Sequence, residues 1–293
     1  MSQPAFAPRS LLFVPASRPD MIGKLSRWEP DAAVIDLEDA VAAAAKDAAR
    51  DAGLAAAGAL DLPGTAVLVR INPAGSPWFA DDLRAVARAG MAGGVDGVVL
   101  PKYAAPAALV EVRAALPPAA LIVAGVETVR GMASARDLLA RGVDAAYFGA
   151  EDYIADLGGV RTEAGLEVLY ARSEVMLACR LAGIGAIDQA VTAIRDDARF
   201  TADAQAGRSL GYTGKICVHP GQVALAHQVF TPSAAEIEHA RAVLGLAADQ
   251  GVGTVDGQMV DDVHVRIAQQ VLARAGERVP GELGPRGPGE ADR

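Results

Sequence analysis

The chain has 293 residues, 36 acidic against 27 basic, for a formal charge of −9. With 52% hydrophobic and 22% charged residues it is too apolar for a disordered chain, and a pI near 5.0 argues against a general nucleic-acid binder. The mean hydropathy of +0.23 comes from dispersed Ala, Val and Leu, and no apolar run reaches the roughly 20 residues a spanning helix needs.

Residues 1–8 lack a basic region followed by an apolar run, so no secretory signal is expected. Short runs rich in Val, Ile and Leu predict strands at 11–15, 33–37, 66–71, 97–100, 121–126, 145–149, 183–187 and 215–218. Helical spacing fills the intervals at 46–57, 78–89, 106–115, 131–140, 162–181 and 197–210, while 18–29 is short for a helix. Continuous apolar strands alternating with helices mean parallel strands buried on both faces. Eight such units fit a closed (β/α)8 TIM barrel better than an open doubly wound sheet. With aromatics at only 4%, its core must be filled by many small aliphatic contacts. Cys179 and Cys217 cannot form a disulfide framework and read as buried small hydrophobes in a reducing cytoplasm.

The pattern then changes. Ser233 and Glu236 have capping-box spacing and open a helix to about residue 249. Gly251-Val-Gly253 reads as a hinge, 255–260 as extended, and 262–275 as a last helix. The expected organisation is a catalytic barrel over 9–230, a C-terminal helical lid extension over 231–275 and a flexible tail over 276–293.

Catalytic groups of a parallel barrel come from the C-terminal ends of its strands. Those ends here carry Asp36, Glu38 and Asp39, then Arg70 and Asn72, Lys102, Glu127, Glu151 and Asp152, Asp188 and Gln189, and His219. Carboxylates converging on one mouth need a cation. A carboxylate-and-water site suits Mg2+, with Mn2+ next, and no Cys/His cluster has zinc spacing. Glu127 and Asp152, on neighbouring strand ends, are the best ligand pair. For Asp39 and Asp188, helix capping or a salt bridge is as good a reading. Arg70 offers a fork of donors to a substrate carboxylate or carbonyl, or else neutralises Asp36 or Glu38. Arg18 and Lys24 add two cations after the first strand, which phosphates or solvent can take. His219 is expected only to shape its loop, and His227, His239 and His264 to be packed or solvated on helices.

These segments together resemble the citrate lyase β subunit and related CoA-ester lyases of the HpcH/HpaI aldolase superfamily. The resemblance is carried by Arg9-Ser-Leu-Leu-Phe-Val-Pro-Ala-Ser-Arg-Pro-Asp20, Val34-Ile-Asp-Leu-Glu-Asp-Ala-Val41, Val69-Arg-Ile-Asn72, Gly125-Val-Glu-Thr128, Phe148-Gly-Ala-Glu-Asp152 and Gly214-Lys-Ile-Cys-Val-His-Pro220. It spans about residues 9–275. It implies a barrel binding Mg2+ through Glu127 and Asp152, with Arg70 on the acyl oxygen and Arg18 and Lys24 on the phosphates of CoA. Asp36, Glu38 and Asp39 would support them. Gly257-Gln-Met-Val-Asp261 looks like the family's lid motif, whose Asp reaches a neighbouring subunit's site as acid or base; Asp262 is the alternative. A homotrimer or hexamer is then expected. Two departures are Ala16 where glycine is usual and Tyr103 after Lys102, expected to add an aromatic to the rim.

The activity implied is reversible cleavage of a 3-hydroxyacyl-CoA thioester, such as malyl-, citramalyl- or citryl-CoA, into an acyl-CoA and a 2-oxo acid. Alternatives are a β-subunit component of a citrate lyase-type complex acting on an acyl carrier, a malyl-CoA thioesterase, and an aldolase for free 2-oxo acids. No nucleic-acid or membrane partner is expected.

Overall fold

In the computed structural model the described residues are 4–91, 93–250, 253–255 and 258–277. The chain divides into two compact units, residues 1–230 and 231–293.

The first unit is a closed barrel of eight parallel strands: β1 (Ser10–Pro15), β2 (Ala32–Asp36), β3 (Ala66–Arg70), β4 (Gly97–Leu100), β5 (Leu121–Val126), β6 (Ala145–Phe148), β7 (Gly185–Asp188) and β8 (Gly214–Cys217). Each pairs with the next, and β8 closes on β1. The strands are buried on both faces, as their continuous apolar runs require. Alternate residues make two cores. Leu11, Val34, Leu68, Val99, Val123 and Tyr147 fill the lumen. Leu12, Ile35, Val69, Val98, Ile122 and Phe148 pack outward under the helices. This alternation fixes the site, because Asp36 and Arg70 share the parity of the lumen residues and end their strands.

Helices cover the outside: α1 (Pro19–Ile22), α2 (Lys46–Gly58), α3 (Phe79–Met91), α4 (Pro106–Ala115), α5 (Val129–Ala133), α6 (Ala135–Leu139), α7 (Ala150–Leu157), α8 (Leu166–Ala182), α9 (Asp197–Leu210) and α10 (Gly221–Phe230). The short interval after β1 holds only α1 and a 3-10 turn, Leu25–Arg27.

Three expectations need correction. The helix expected over 131–140 is two, α5 and α6, separated at Ser134, whose φ of −119° and ψ of 12° leave the helical range. The helix expected from 162 starts at Leu166, because Glu167 takes the Thr162 N–H and hydroxyl and the Arg161 guanidinium and holds the preceding residues as a loop. Tyr103 is no rim aromatic: it is 1% exposed and its hydroxyl turns to the Leu138 carbonyl. α7 and α10 had no counterpart in the sequence reading. Ala16 is buried, with its N–H on the Asp36 carbonyl at 2.9 Å.

The second unit contains α11 (Ala234–Gln250), an antiparallel pair β9 (Gly253–Val255) and β10 (Gln258–Val260), and α12 (Asp262–Arg274). The Ser233–Glu236 capping box is present, with reciprocal bonds of 2.8 and 3.2 Å. Its small core joins Ala240, Val243, Val260, Ala268 and Leu272. The expected hinge residues Gly251 and Val252, and the tail from residue 278, lie outside the described residues. Among the described residues no helix is long and apolar enough to cross a membrane.

Candidate active site

A cavity of about 420 Å³ opens at the C-terminal mouth of the barrel, lined among others by Phe13, Asp39, Arg70, Glu127, Tyr147 and Asp152. Four of these are sequence candidates drawn from β2 to β6. Asp36 lines it too, and Glu38 lies behind, buried.

Arg70 sits opposite Asp36 in the β2–β3 register. Its Nε and Nη2 each donate to an Asp36 oxygen at 2.7 Å. Its Nη1 is 3.1 Å from Glu38 Oε2, an ion contact without a hydrogen bond. The guanidinium also lies 5.0 Å over the Phe13 ring. Despite burial, hydrogen bonding and the charge of Asp36 hold its pKa well above the ordinary value. Both readings of Arg70 are therefore compatible: it neutralises two acids, yet it still faces the cavity with N–H groups unspent.

Glu127, just past β5, is 2% exposed. Its Oε1 accepts the Lys102 backbone N–H at 2.7 Å and its Oε2 the Tyr147 hydroxyl at 2.9 Å. Burial, then the charge of Glu38, pushes its pKa up to about 7, with Asp152 adding to the shift. Two glycines make this packing possible. A Cβ on Gly125 would run into the Tyr147 hydroxyl, and one on Gly149 into the Glu127 carboxylate. Tyr147 itself is wholly buried beside Glu127, which raises its pKa well above the usual value and keeps it a donor.

Lys102 has a left-handed backbone, φ +49°, uncommon outside glycine. That conformation turns its N–H to Glu127 while its ammonium reaches Glu38 at 2.7 Å, Asp152 at 3.4 Å and Asp39 at 3.8 Å. Its pKa is raised by the Glu38 bond and charge despite burial. Burial, outweighing Arg70 and Lys102, raises that of Glu38.

Glu127 and Asp152 both present hard oxygens to the cavity, and burial and the charge of Glu38 penalise an ionised Glu127 that has no cation beside it. That donor set fits Mg2+, which takes one or two carboxylates and keeps its waters. Among the described residues no three His, Cys, Asp or Glu converge as a preformed cage, as a site completed by water and substrate allows.

Other candidates lie elsewhere. Arg18 and Lys24 are half-exposed and share Asp20, at 2.9 and 3.8 Å, and neither lines the cavity. Asp188 is structural: it is fully buried between Arg172 and Lys215, and Asp203 joins both cations. His219 accepts the Gly221 N–H in its own loop. Asp261 caps α12, accepting from the Val263 and His264 backbones, with its Oδ1 2.8 Å from His264 Nδ1. These bonds, led by that to His264, lower its pKa.

Sequence reasoning missed Tyr147, hidden inside an apolar run, and gave Lys102 no role. It also missed Lys46, a buried ammonium donating at 2.7 Å to the Leu37 and Glu38 carbonyls and to Asn72 Oδ1, which holds the acidic loop after β2 in place.

The family model described as HpcH/HpaI aldolase/citrate lyase matches residues 9–220. A citrate lyase subunit beta-like protein of Deinococcus radiodurans is 47% identical over 89% of this chain and 95% of its own. A (3S)-malyl-CoA thioesterase of Cereibacter sphaeroides is 32% identical over 92% of this chain and 95% of its own. The structure of CitE from Mycobacterium tuberculosis, in complex with magnesium, acetoacetate and coenzyme A, matches with a TM-score of 0.79 and 33% identity, over 93% of this chain and 99% of that one. With the barrel and its acidic mouth, these likenesses show that the chain belongs to the HpcH/HpaI aldolase/citrate lyase family of lyases.

Proposed function

We propose that the protein is a Mg2+-dependent lyase that reversibly cleaves a 3-hydroxyacyl-CoA thioester, such as malyl-, citramalyl- or citryl-CoA, into an acyl-CoA and a 2-oxo acid. The observation that carries this reading is the meeting of the Arg70 guanidinium with Glu127 and Asp152 around one cavity. The magnesium, acetoacetate and coenzyme A of the CitE complex support the same ligand classes.

Glu127 and Asp152 would hold the ion, with Mn2+ as the next candidate. When bound, it would supply Lewis acidity to the substrate's hydroxyl and adjacent carboxylate. The hydroxyl proton leaves to water, the carbonyl of the oxo acid forms as the carbon–carbon bond breaks, and the electron pair of that bond becomes the thioester enolate. Arg70, pre-oriented by Asp36, offsets that charge with its remaining donors, an effect of about 3 kcal/mol for groups of this kind. Asp36, Glu38 and Asp39 serve as its acidic surround. Asp261, from the lid of a neighbouring subunit, exchanges the proton at the enolate carbon; Asp262 is the alternative. Arg18 and Lys24 meet the CoA phosphates, drawing off the charge they now share with Asp20.

This reading takes residues 231–275 as the lid and 276–293 as a tail, and expects a homotrimer or hexamer, which light scattering measures. It places the protein in the cytoplasm, where CoA thioesters and free thiols occur together. The test is a panel of 3-hydroxyacyl-CoA esters with Mg2+, scored for the oxo acid released. Glu127→Gln and Asp152→Asn should lose metal-dependent turnover. Full activity in either, with EDTA without effect, overturns the reading.

The thioesterase relative favours a second outcome on the same site. Release of free thiol without a matching oxo acid distinguishes it. The Escherichia coli citrate lyase subunit beta, 32% identical over 86% of this chain, favours action within a complex; turnover by the purified protein alone decides that. Cleavage of the free acids without CoA would favour the simple aldolase.

A further inference from the structure

Lys102 touches both proposed ligand carboxylates, one from each end. Its backbone N–H is bonded to Glu127 and its ammonium is 3.4 Å from Asp152. The left-handed φ of +49° is what allows both. The ammonium is anchored on Glu38 at 2.7 Å and reaches Asp152, so it faces the carboxylates. Among the described residues Lys102 is the one cation in ion-pair range of Asp152.

We propose that the Lys102 ammonium competes with the divalent cation for Asp152 and so sets the metal affinity of the site. Glu38 keeps the ammonium beside the mouth whether or not Asp152 is engaged, because that contact is the shorter one. A fixed positive charge within a few ångströms of a metal position weakens binding there by repulsion. It also takes up part of the negative charge on Asp152 that the metal would otherwise meet. Lys102 is in this sense a positioning residue, acting through Glu127 and Asp152. The inference rests on the reading that Glu127 and Asp152 hold the metal.

The test is calorimetric titration with Mg2+ and with Mn2+, which requires no substrate. Lys102→Met removes the charge while keeping an unbranched side chain, so the backbone N–H on Glu127 is retained. Lys102→Gln keeps a donor for Glu38 and serves equally if the methionine variant fails to fold. Lys102→Arg keeps the charge. The neutral variants should bind Mg2+ roughly tenfold tighter than the wild type, and the arginine variant within about twofold of it. Equal or weaker binding by a folded neutral variant overturns the inference, because the ammonium would then be orienting Asp152 for the metal. Equal tightening in the arginine variant also overturns it, since charge would not be the cause. If the wild type binds neither ion, the proposed function itself falls. If it binds them and the neutral variants gain nothing, only the role of Lys102 falls.

Discussion

Asp36 and Arg70 stand opposite each other on neighbouring strands and are joined by two parallel 2.7 Å hydrogen bonds. Asp36 is 2% exposed and also accepts the Glu38 N–H at 2.9 Å and the Ala40 N–H at 3.3 Å. One carboxylate therefore fixes both a guanidinium and the turn that carries Glu38.

Asp36→Asn should thus damage more than one bond. Removing one charge of a buried pair costs about 3–5 kcal/mol, so a lower melting temperature is expected. Arg70 would also lose its fixed orientation, lowering kcat more than it raises KM. An unchanged melt with unchanged kcat would show that the fork holds nothing in place.

Tyr147→Phe removes the hydroxyl that Glu127 Oε2 accepts, in a wholly buried setting. Partners of metal ligands typically contribute about 10–100-fold to affinity or activity. A loss of that size in Mg2+ affinity is expected, with circular dichroism unchanged. Titration calorimetry on the folded variant measures it.

Gly149→Ala places a methyl where the Glu127 carboxylate lies. Glu127 must then move, with its strand-end neighbours packed against it. The expected result is loss of metal binding in a protein that still folds, read by calorimetry alongside far-ultraviolet circular dichroism. Retained affinity would mean that Glu127 can serve from another rotamer.

Acid should destabilise the protein through Asp31 and Asp203. Asp31 is held below the usual carboxylate range by hydrogen bonds from Arg9 and His227 that overcome its burial. Asp203 is also lowered against burial, by the charges of Lys215 and Arg172. For a depressed carboxylate the stabilisation is complete above the unfolded pKa, near 3.9, and is lost as pH falls through the folded value. Denaturant melts should show stability dropping below about pH 4, and Asp31→Asn should flatten that slope.

Cys179 and Cys217 have thiol pKa values pushed up to about 12 by burial. A thiol-specific reagent should leave both unmodified in the native protein at neutral pH and label both after unfolding. Rapid native labelling would reveal an opening of the helix layer.

The barrel was readable from sequence because parallel strands buried on both faces are continuous apolar runs, and their last residues name themselves. Arg70, Glu127 and Asp152 were legible for that reason, since each breaks or follows such a run. Tyr147 was not, because a lumen tyrosine looks like any other apolar position until Glu127 is known to lie above it. Lys102 carries no sequence mark of its left-handed backbone, so the joint grip on Glu127 and Asp152 needed coordinates. The divided helix at Ser134 and the loop before Leu166 were set by side-chain hydrogen bonds and local dihedrals that periodicity does not encode. Arg18 and Lys24 read as cations for phosphates or solvent, and their shared pairing with Asp20 in the fold is a side-chain contact that the sequence does not mark.

The network around Asp188 has a consequence for how a ligand lies. Lys215, Arg172, Asp188 and Asp203 satisfy one another, and Lys215 and Asp188 are fully buried. The β7–β8 quarter of the mouth therefore exerts little net pull on a charged guest. The exposed field is one-sided, generated along the arc from β2 to β6, where Arg70 and the acids stand. The acids of that arc outnumber Arg70 and Lys102, so an anionic guest finds its attraction there at the free donors of Arg70, while its uncharged flank meets the neutral side formed by Ala190, Ile216 and Val218.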